Sequence, residues 1–308
     1  MRIVFMGTPE FAVPALEAIV AAGHEVAGVI CQPDRPKGRG RHVEMPPVKQ
    51  AAMRLELPVY QFERLRKQAG LDALRALAPE VCVTAAFGQI LSQKLLDVPR
   101  LGTINLHASL LPAYRGPAPA QWAIINGERQ TGVTTMRTDI GIDTGDVILQ
   151  HAVPIANDDT SQTLLARLAI DGAALMTKTL ADWPHLPTHP QDEALATHLP
   201  MLEKKDGLLD FTQSARAIDC RARGVTPWPG ACCLIGGEVY KVAQLRKVAC
   251  DAAEPGRILA ADAKQGLVIA CADGALDIGM LQAPAGKMMP ARDYLRGHEL
   301  KAQRVDQP

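Results

Sequence analysis

The sequence predicts an α/β protein in which a doubly wound, mostly parallel Rossmann-like sheet domain precedes a smaller OB-like β-barrel domain. Over residues 1–100, short and continuously apolar runs alternate with amphipathic stretches, a pattern typical of parallel strands that helices cover on both faces. Over residues 231–281, five short β-rich runs are separated by Gly and Asp turns, which indicates a small barrel of the OB type.

The first strand and helix illustrate how the elements of the first domain are predicted. Arg2–Met6 is a β-rich run that ends at the turn Gly7-Thr8-Pro9. Thr8 suits the N-cap of the following helix, Pro9 suits its first position, and Gly23 suits its end. The same patterns predict further strands at 24–32, 58–61, 80–86 and 147–155, and helices at 63–77 and 161–183.

A change of composition near residue 184 predicts the domain boundary. Prolines 184, 187, 190 and 200 break up a polar stretch that we interpret as an interdomain linker. We therefore predict a first domain over 1–183, a linker over 184–204 and a second domain over 205–308. In the second domain we expect a helix at 212–224 and strands at 231–236, 238–248, 256–261, 266–272 and 275–281.

Composition places the chain among ordinary globular proteins. Of its 308 residues, 47% are hydrophobic and 21% are charged. No apolar run approaches the roughly 18 residues that a membrane span needs, and the first residues enter a strand at once, so we expect neither membrane insertion nor a signal peptide. Seven scattered cysteines without a C-x-x-C pair suit buried side chains in a reducing compartment. We predict a cytoplasmic monomer.

The balance of charge limits how the chain could bind nucleic acid. Its 33 basic and 33 acidic residues cancel, so a general nucleic-acid binder with a diffuse positive field is disfavoured. Residues 33–42 nevertheless concentrate cations in an exposed Gly- and Pro-rich loop, and such cations suit contacts to phosphates. The alternative is a solvated loop without a partner. The cations are Arg35, Lys37, Arg39 and Arg41.

The loop after the first strand argues against a dinucleotide cofactor. Gly7-Thr8-Pro9 lacks the second and third glycines of the G-x-G-x-x-G fingerprint, so a nicotinamide dehydrogenase is disfavoured. Ligands of such sheets still bind beyond the carboxyl ends of the strands. This rule places Gly7, residues 85–89, His107 and Asp143 around one crevice.

Three residues between 103 and 146 form a candidate catalytic set. Asn105 and His107 are two residues apart, so on a strand their side chains leave the same face. Asp143 lies in a tight loop between Gly141 and Gly145. The amide can donate to an oxyanion, the imidazole can move a proton, and the carboxylate can orient the imidazole or a water. Taken singly, each residue is more often a turn former.

The surrounding motif strengthens the catalytic interpretation. The pattern N-x-H-x-S-L-L-P-x-x-R-G, followed by D-x-G-x-D-T-G-D at residues 139–146, resembles the 10-formyltetrahydrofolate-dependent formyltransferases. The resemblance extends over nearly the whole chain. It implies that Asn105, His107 and Asp143 transfer a formyl group from 10-formyltetrahydrofolate without a metal ion. It also implies that Ser109, Leu110, Leu111 and Pro112 line the folate site.

The resemblance further implies which amine accepts the formyl group. In relatives that act on initiator methionyl-tRNA, the loop at 33–42 approaches the acceptor stem, and Arg39 falls at the matching arginine. The C-terminal domain of these relatives binds tRNA, although residues 201–308 carry only 15 basic against 13 acidic side chains here. Competing acceptors are glycinamide ribonucleotide and an amino-sugar nucleotide. A non-catalytic RNA-binding module is a further alternative, which has no need of all three candidate catalytic residues.

Overall fold

A computed structural model describes residues 1–37 and 42–306. The chain divides into two compact units, and segments from its middle belong to the second. The first unit consists of residues 1–119, 130–154 and 164–200, and the second of residues 120–129, 155–163 and 201–308. Within the described ranges, none of the helices combines the length and the hydropathy needed to cross a bilayer.

The elements alternate as expected in the first half of the chain, and strands dominate the second half. The strands are β1 Arg2–Gly7, β2 Glu25–Cys31, β3 Arg35–Lys37, β4 His42–Glu44, β5 Val59–Gln61, β6 Val81–Ala85, β7 Thr103–His107, β8 Gln130–Arg137, β9 Val147–Pro154, β10 Cys232–Ile235, β11 Glu238–Val248, β12 Ile258–Asp262, β13 Gly266–Cys271, β14 Gly274–Gln282, β15 Met289–Pro290 and β16 Val305–Asp306. The helices are α1 Val13–Ala21, α2 Pro47–Arg54, α3 Gln68–Leu77, α4 Gln93–Leu96, α5 Pro119–Ile125, α6 Ser161–Asp182, α7 Ala215–Gly224 and α8 Ala291–Tyr294.

The sheet of the first unit has the strand order β5-β2-β1-β6-β7-β8-β9. The five strands from β5 to β7 are parallel, whereas β8 and β9 join antiparallel to their neighbours. Its core includes fully buried side chains such as Ile3, Phe5, Ile30 and Val83. The prediction of a mostly parallel, Rossmann-like sheet is therefore confirmed.

Strand β8 escapes prediction from sequence because several of its buried positions are threonines. Thr131, Thr134 and Thr135 are each buried, so the run looks polar although it lies inside the unit. The hydroxyls of Thr134 and Thr135 find partners there: Thr135 Oγ1 lies 2.8 Å from Thr179 Oγ1 of α6. Thr134 Oγ1 donates to the carbonyl oxygen of Ser109 at 2.6 Å. Satisfied hydroxyls make the burial of these polar side chains tolerable.

The start of the first helix differs from the prediction. A 3-10 turn over Glu10–Ala12 precedes α1, and neither has a side-chain cap. The predicted N-cap role of Thr8 is wrong because its hydroxyl donates to the carbonyl oxygen of Phe87 at 3.1 Å. This bond joins the end of β1 to the loop after β6. Gly23 follows the helix as expected, with a φ of 78°.

The second unit contains an antiparallel sheet with the order β12-β13-β14-β11-β10-β16, and β15 pairs with β14. The ends of this sheet meet, because Ile258 N–H donates to Gln303 O and Val305 N–H donates to Gly256 O, both at 2.8 Å. The result is a nearly closed barrel, which confirms the OB-like prediction. The side chains buried in this unit include Val242, Ile269, Leu276, Ile278 and Leu281.

The 184–200 segment, predicted as part of a linker, belongs to the first unit. It pairs with the start of β9: Val147 N–H donates to His189 O at 2.9 Å, and His189 N–H donates to Val147 O at 2.8 Å. Farther along, Leu199 N–H donates to Arg115 O at 3.0 Å. The segment therefore holds the loop after β7 and the loop before β9, where the candidate residues lie.

Candidate active site

Strand β7 brings Asn105 and His107 to the carboxyl edge of the parallel strands. In the register of β6 and β7, Thr84 stands opposite Asn105. Thr84 Oγ1 donates to Asn105 Oδ1 at 2.8 Å. With its oxygen engaged, the Asn105 amide presents its Nδ2 hydrogens to another acceptor. The sequence motif identifies Asn105 but not Thr84, since that contact depends on the register between two strands.

The two ring nitrogens of the His107 imidazole face different partners. Nε2 lies 2.9 Å from the carbonyl oxygen of Tyr114, and because a carbonyl only accepts, Nε2 carries the hydrogen. Nδ1 therefore faces Asp143, whose Oδ2 is 3.6 Å away. The His107 side chain is 7% exposed and that of Asp143 is 18% exposed. The two groups face each other in a largely enclosed place, slightly beyond hydrogen-bond distance.

The loop that carries Asp143 is organised by its own polar groups. The Asp139 carboxylate accepts from Gly141 N–H at 3.1 Å and from the Thr144 hydroxyl at 2.8 Å. A side chain at Gly145 would place its Cβ far inside van der Waals contact with the Arg137 carbonyl oxygen, so only glycine fits there. Asp143 Oδ2 accepts from the backbone N–H of Gly116 at 2.9 Å. The carboxylate thus has a fixed direction toward His107.

The predicted folate-site residues follow directly after β7, and two of the four are turned inward. Ser109 is fully buried and its hydroxyl donates to Ala113 O at 2.7 Å. Leu111 is buried, and its N–H donates to Thr134 Oγ1 at 3.2 Å. Leu110 and Pro112 are half-buried and keep exposed surface. Side-chain contact with a ligand is therefore open to Leu110 and Pro112, while Ser109 and Leu111 shape the loop.

Arg115 and Gln191 support the site, although sequence reasoning gave neither of them a role. Arg115 is fully buried, and its Nε donates to Gln191 Oε1 at 3.0 Å. Gln191 Nε2 donates to the carbonyl oxygens of Asp143 and Gly145, at 2.8 and 2.7 Å. The only sequence signal was Arg115 in the motif, because Gln191 lies far along the chain in a proline-rich stretch.

Cys31 and Cys82, which lie on strands of the same sheet, do not provide a nucleophile. Burial raises the pKa of Cys31 to about 11, and burial likewise raises the pKa of Cys82 far above its usual value. Both thiols are therefore protonated near neutral pH, where a thiolate would be required for attack. The part of the chain that the structure describes contains no cluster of three or more His, Cys, Asp or Glu side chains suited to a metal ion.

The predicted cationic loop includes the short strand β3, which pairs antiparallel with β4. Its base is fixed by Lys49, whose Nζ lies 2.7 Å from Asp34 Oδ2. The hydrogen bond from Lys49 also holds the pKa of Asp34 below its usual value. Arg35 is exposed and forms an ion pair with Glu63 at 2.6 Å. Lys37 ends β3, whereas Arg39 and Arg41 lie outside the described residues.

Two protein-family models match the chain, one in each half. Residues 1–180 match the model described as "Formyl transferase". Residues 201–299 match the model described as "Formyl transferase, C-terminal domain". The first match includes Asn105, His107 and Asp143, and the second includes all of the barrel strands except β16.

Curated relatives match over almost the full length. The methionyl-tRNA formyltransferase of Citrifermentans bemidjiense is 46% identical over 303 residues, covering 98% of this chain and 95% of the relative. The methionyl-tRNA formyltransferase of Koribacter versatilis is 48% identical over 301 residues, covering 97% of this chain and 96% of the relative.

A solved structure shares the fold at lower identity. HypX from Aquifex aeolicus, in complex with tetrahydrofolic acid, matches with a TM-score of 0.63 and 18% identity. The match covers 96% of this chain and 47% of the HypX chain. At this identity the likeness concerns the fold alone.

Proposed function

This chain belongs to the formyl transferase family, and on that premise we propose that it transfers the formyl group of 10-formyltetrahydrofolate to the amino group of initiator methionyl-tRNA. The product is N-formylmethionyl-tRNA, which serves translation initiation. Support for this acceptor comes from relatives of that name, which match along nearly the whole chain. Translation initiation takes place in the cytosol, so the proposed function implies a cytoplasmic enzyme.

The observation that carries the chemistry is the hydrogen bond from Thr84 to Asn105. Bound 10-formyltetrahydrofolate supplies the formyl carbon, and the free amine of the methionyl ester attacks it. A bond forms between the amine nitrogen and the formyl carbon, and charge develops on the formyl oxygen. Because its oxygen accepts from Thr84, the Asn105 amide turns its Nδ2 hydrogens toward that oxyanion, a contribution typically worth about 10²–10³ in rate.

The remaining step moves one proton from the attacking amine to N10 of the folate. We assign this transfer to the His107 and Asp143 pair, whose nearest polar atoms are 3.6 Å apart. His107 takes part through Nδ1, since Nε2 is occupied by the Tyr114 carbonyl. The transfer then proceeds directly after a small approach of the two groups or through one water between them. Cleavage of the bond from the formyl carbon to N10 completes the reaction with atoms and charge balanced.

The binding surfaces follow from the same proposal. Ser109, Leu110, Leu111 and Pro112 form the wall of the folate site, with Leu110 and Pro112 supplying side-chain surface. Arg35, Lys37, Arg39 and Arg41 contact the tRNA near its acceptor end. We assign catalysis to residues 1–183 together with the 184–200 segment that is bonded to them, and tRNA binding to residues 205–308, and we propose that the enzyme is a monomer. The matched ranges 1–180 and 201–299 support the division.

One experiment tests the acceptor. Purified protein and 10-formyltetrahydrofolate are offered methionyl-tRNA, glycinamide ribonucleotide and an amino-sugar nucleotide in parallel, and product formation is followed over time. We expect transfer to methionyl-tRNA, with the other two amines at background. Preferential transfer to either small molecule would reject the proposed acceptor while leaving the formyltransferase chemistry in place.

A further inference from the structure

The backbone of Asp143 adopts an uncommon conformation. Its φ is 55°, in the left-handed region that residues other than glycine seldom occupy. The side chain is held by a hydrogen bond in which Gly116 N–H donates to Oδ2 at 2.9 Å. That bond fixes one end of the residue. The position of the carboxylate also depends on what holds the main chain of the loop.

The Gln191 amide holds that main chain on two sides of the bend. Its Nε2 donates to the Asp143 carbonyl at 2.8 Å and to the Gly145 carbonyl at 2.7 Å. Its Oε1 accepts from Arg115 Nε at 3.0 Å. Because a guanidinium only donates, the atom that faces Arg115 must be oxygen, so both amide hydrogens must point at the loop. The oxygen and both amide hydrogens of the Gln191 side chain therefore each take part in a hydrogen bond.

Arg115 gives Gln191 a rigid support. Its side chain is 0% exposed and forms a two-pronged pair with Glu193, at 2.8 and 3.0 Å. Its backbone N–H donates to Thr197 O at 2.8 Å. Arg115 is also the neighbour in sequence of Gly116. Asp143 is thus held at its carboxylate by Gly116 and at its carbonyl by Gln191, and both supports originate at residues 115–116.

From this geometry we infer that Gln191 is a positioning residue for the formyl transfer, acting through Asp143 on the Asp143–His107 pair. The inference rests on the proposed function. Gln191 lies outside the catalytic motif, on a segment with the composition of a linker. It thereby sets the direction of the Asp143 carboxylate. A displacement of about 1 Å at a reacting group can cost about 10²-fold in rate. Loss of Gln191 is expected to lower kcat by about 10- to 100-fold, with little change in the affinity for folate.

The competing explanation is that Gln191 only fastens the 184–200 segment to the first unit. Thr188 offers a matched control for that role. It lies on the same segment, and its hydroxyl donates to Asp146 Oδ2 at 3.0 Å, just beyond the loop that Gln191 holds. Thr188→Val removes one anchoring bond without touching the Asp143 or Gly145 carbonyls. If fastening alone matters, Thr188→Val and Gln191→Ala should have similar effects.

The test compares five variants with the wild-type enzyme by single-turnover formyl transfer: Gln191→Ala, Gln191→Glu, Thr188→Val, Asp143→Asn and the double variant of Asp143→Asn with Gln191→Ala. Gln191→Ala removes all three bonds, whereas Gln191→Glu keeps an oxygen for Arg115 but removes both donors to the loop. We expect both to lower kcat by about 10- to 100-fold, and Thr188→Val to stay within about 3-fold. Asp143→Asn is combined with Gln191→Ala in a double-mutant cycle. If Gln191 acts through Asp143, its effect should largely vanish in the Asp143→Asn background.

A structural measurement makes the test independent of the acceptor. Amide hydrogen exchange over residues 139–146 should be faster in Gln191→Ala than in the wild type, and unchanged in Thr188→Val. Additive losses in the cycle, equal effects of the two variants, or unchanged exchange in Gln191→Ala would each overturn the positioning role. Absence of wild-type transfer to methionyl-tRNA would instead reject the proposed function, and the exchange comparison would still decide whether Gln191 holds the loop.

Discussion

The Asn105 amide has a donor end and an acceptor end, and Thr84 occupies the acceptor end. This single contact gives the amide the direction that its proposed role at the oxyanion requires. The His107 ring is oriented in a similar way. Its Nε2 contacts the Tyr114 carbonyl, which leaves Nδ1 to face Asp143. At the residue scale, the motif in the sequence was enough to name the candidate catalytic groups, whereas their orientations were not predictable. The partners that orient them are a threonine on another strand and a backbone carbonyl, neither of which has a sequence signature.

A pair of substitutions separates the donor from the residue that orients it. Asn105→Ala should lower kcat by about 10²–10³, as expected for loss of an oxyanion donor. Thr84→Val leaves the amide in place but removes its anchor, so we expect a loss of roughly 5- to 10-fold, near the value of one hydrogen bond. Single-turnover transfer measures both, with folate affinity as the control. Near-wild-type turnover of Asn105→Ala would contradict the assigned role.

The ion pair between Arg115 and Glu193 predicts a dependence of stability on pH. Hydrogen bonds from Arg115 hold the pKa of Glu193 below its usual value. A carboxyl whose pKa is lowered by folding contributes stability above the unfolded value of about 4.3, and that stability is lost as the pH falls through the folded pKa. The difference in Tm between the wild type and Glu193→Gln should therefore be largest near neutrality and shrink below about pH 4. Thermal unfolding across a pH series measures it, and a constant difference would contradict the argument.

At the scale of elements, most strands and helices follow from hydrophobic periodicity, and the exceptions have physical causes. β8 does not look buried in the sequence because several of its buried residues are threonines. Thr135 contacts a hydroxyl of α6, and Thr134 donates to a carbonyl of the loop after β7. The 184–200 segment looks like a linker because prolines and polar residues interrupt it, yet it pairs with β9 and with Arg115. The composition of a segment indicates that it lacks regular secondary structure. It does not indicate which part of the fold the segment is bonded to.

The close packing of the loop before β9 lets us predict how a side chain at Gly145 would affect stability and turnover. In Gly145→Ala the new Cβ would overlap the Arg137 carbonyl oxygen, so the backbone must move. We expect a loss of stability of about 1–3 kcal/mol and a large fall in kcat, because Asp143 moves with the loop. Denaturant unfolding and turnover measure the two effects.

The matched control for this change is Gly297→Ala, where no heavy atom lies within 4 Å of the new Cβ. It should leave stability and turnover near the wild-type values. If Gly145→Ala were equally silent, the loop would be far more adaptable than its close approach to Arg137 indicates.

At the scale of the whole molecule, the fold class and the family were both predictable from the sequence. The alternation of elements indicated the parallel sheet, and the motif around Asn105 and His107 indicated formyl transfer. The net charge of zero argued against a general nucleic-acid binder with a diffuse positive field. The cationic loop was visible in the sequence, but its contact with tRNA stays a prediction, as do the monomeric state and the cytoplasmic location.

Overall neutrality predicts that tRNA affinity comes from a few local cations. Arg39→Ala should weaken binding of methionyl-tRNA and make its salt dependence shallower, by roughly 0.7–0.9 in slope for each phosphate that the side chain no longer neutralises. Folate binding should not change. Arg54→Ala is the matched control, because it removes the same charge from α2, where Arg54 pairs with Glu17. Equal effects of both variants, or none, would exclude a specific contact at Arg39.

The division into two units has a consequence for synthesis on the ribosome. Residues 120–129 and 155–163 belong with residues 201–308 but are made long before them. Their partners come late: Arg216 bonds the Gly127 carbonyl, and Arg223 bonds the Asp159 carbonyl. At roughly 5–20 residues per second, these segments wait on the order of 10–30 seconds for the barrel to be translated. The nascent chain therefore passes through a stage in which α5 and the start of α6 lack the neighbours that they have in the complete second unit.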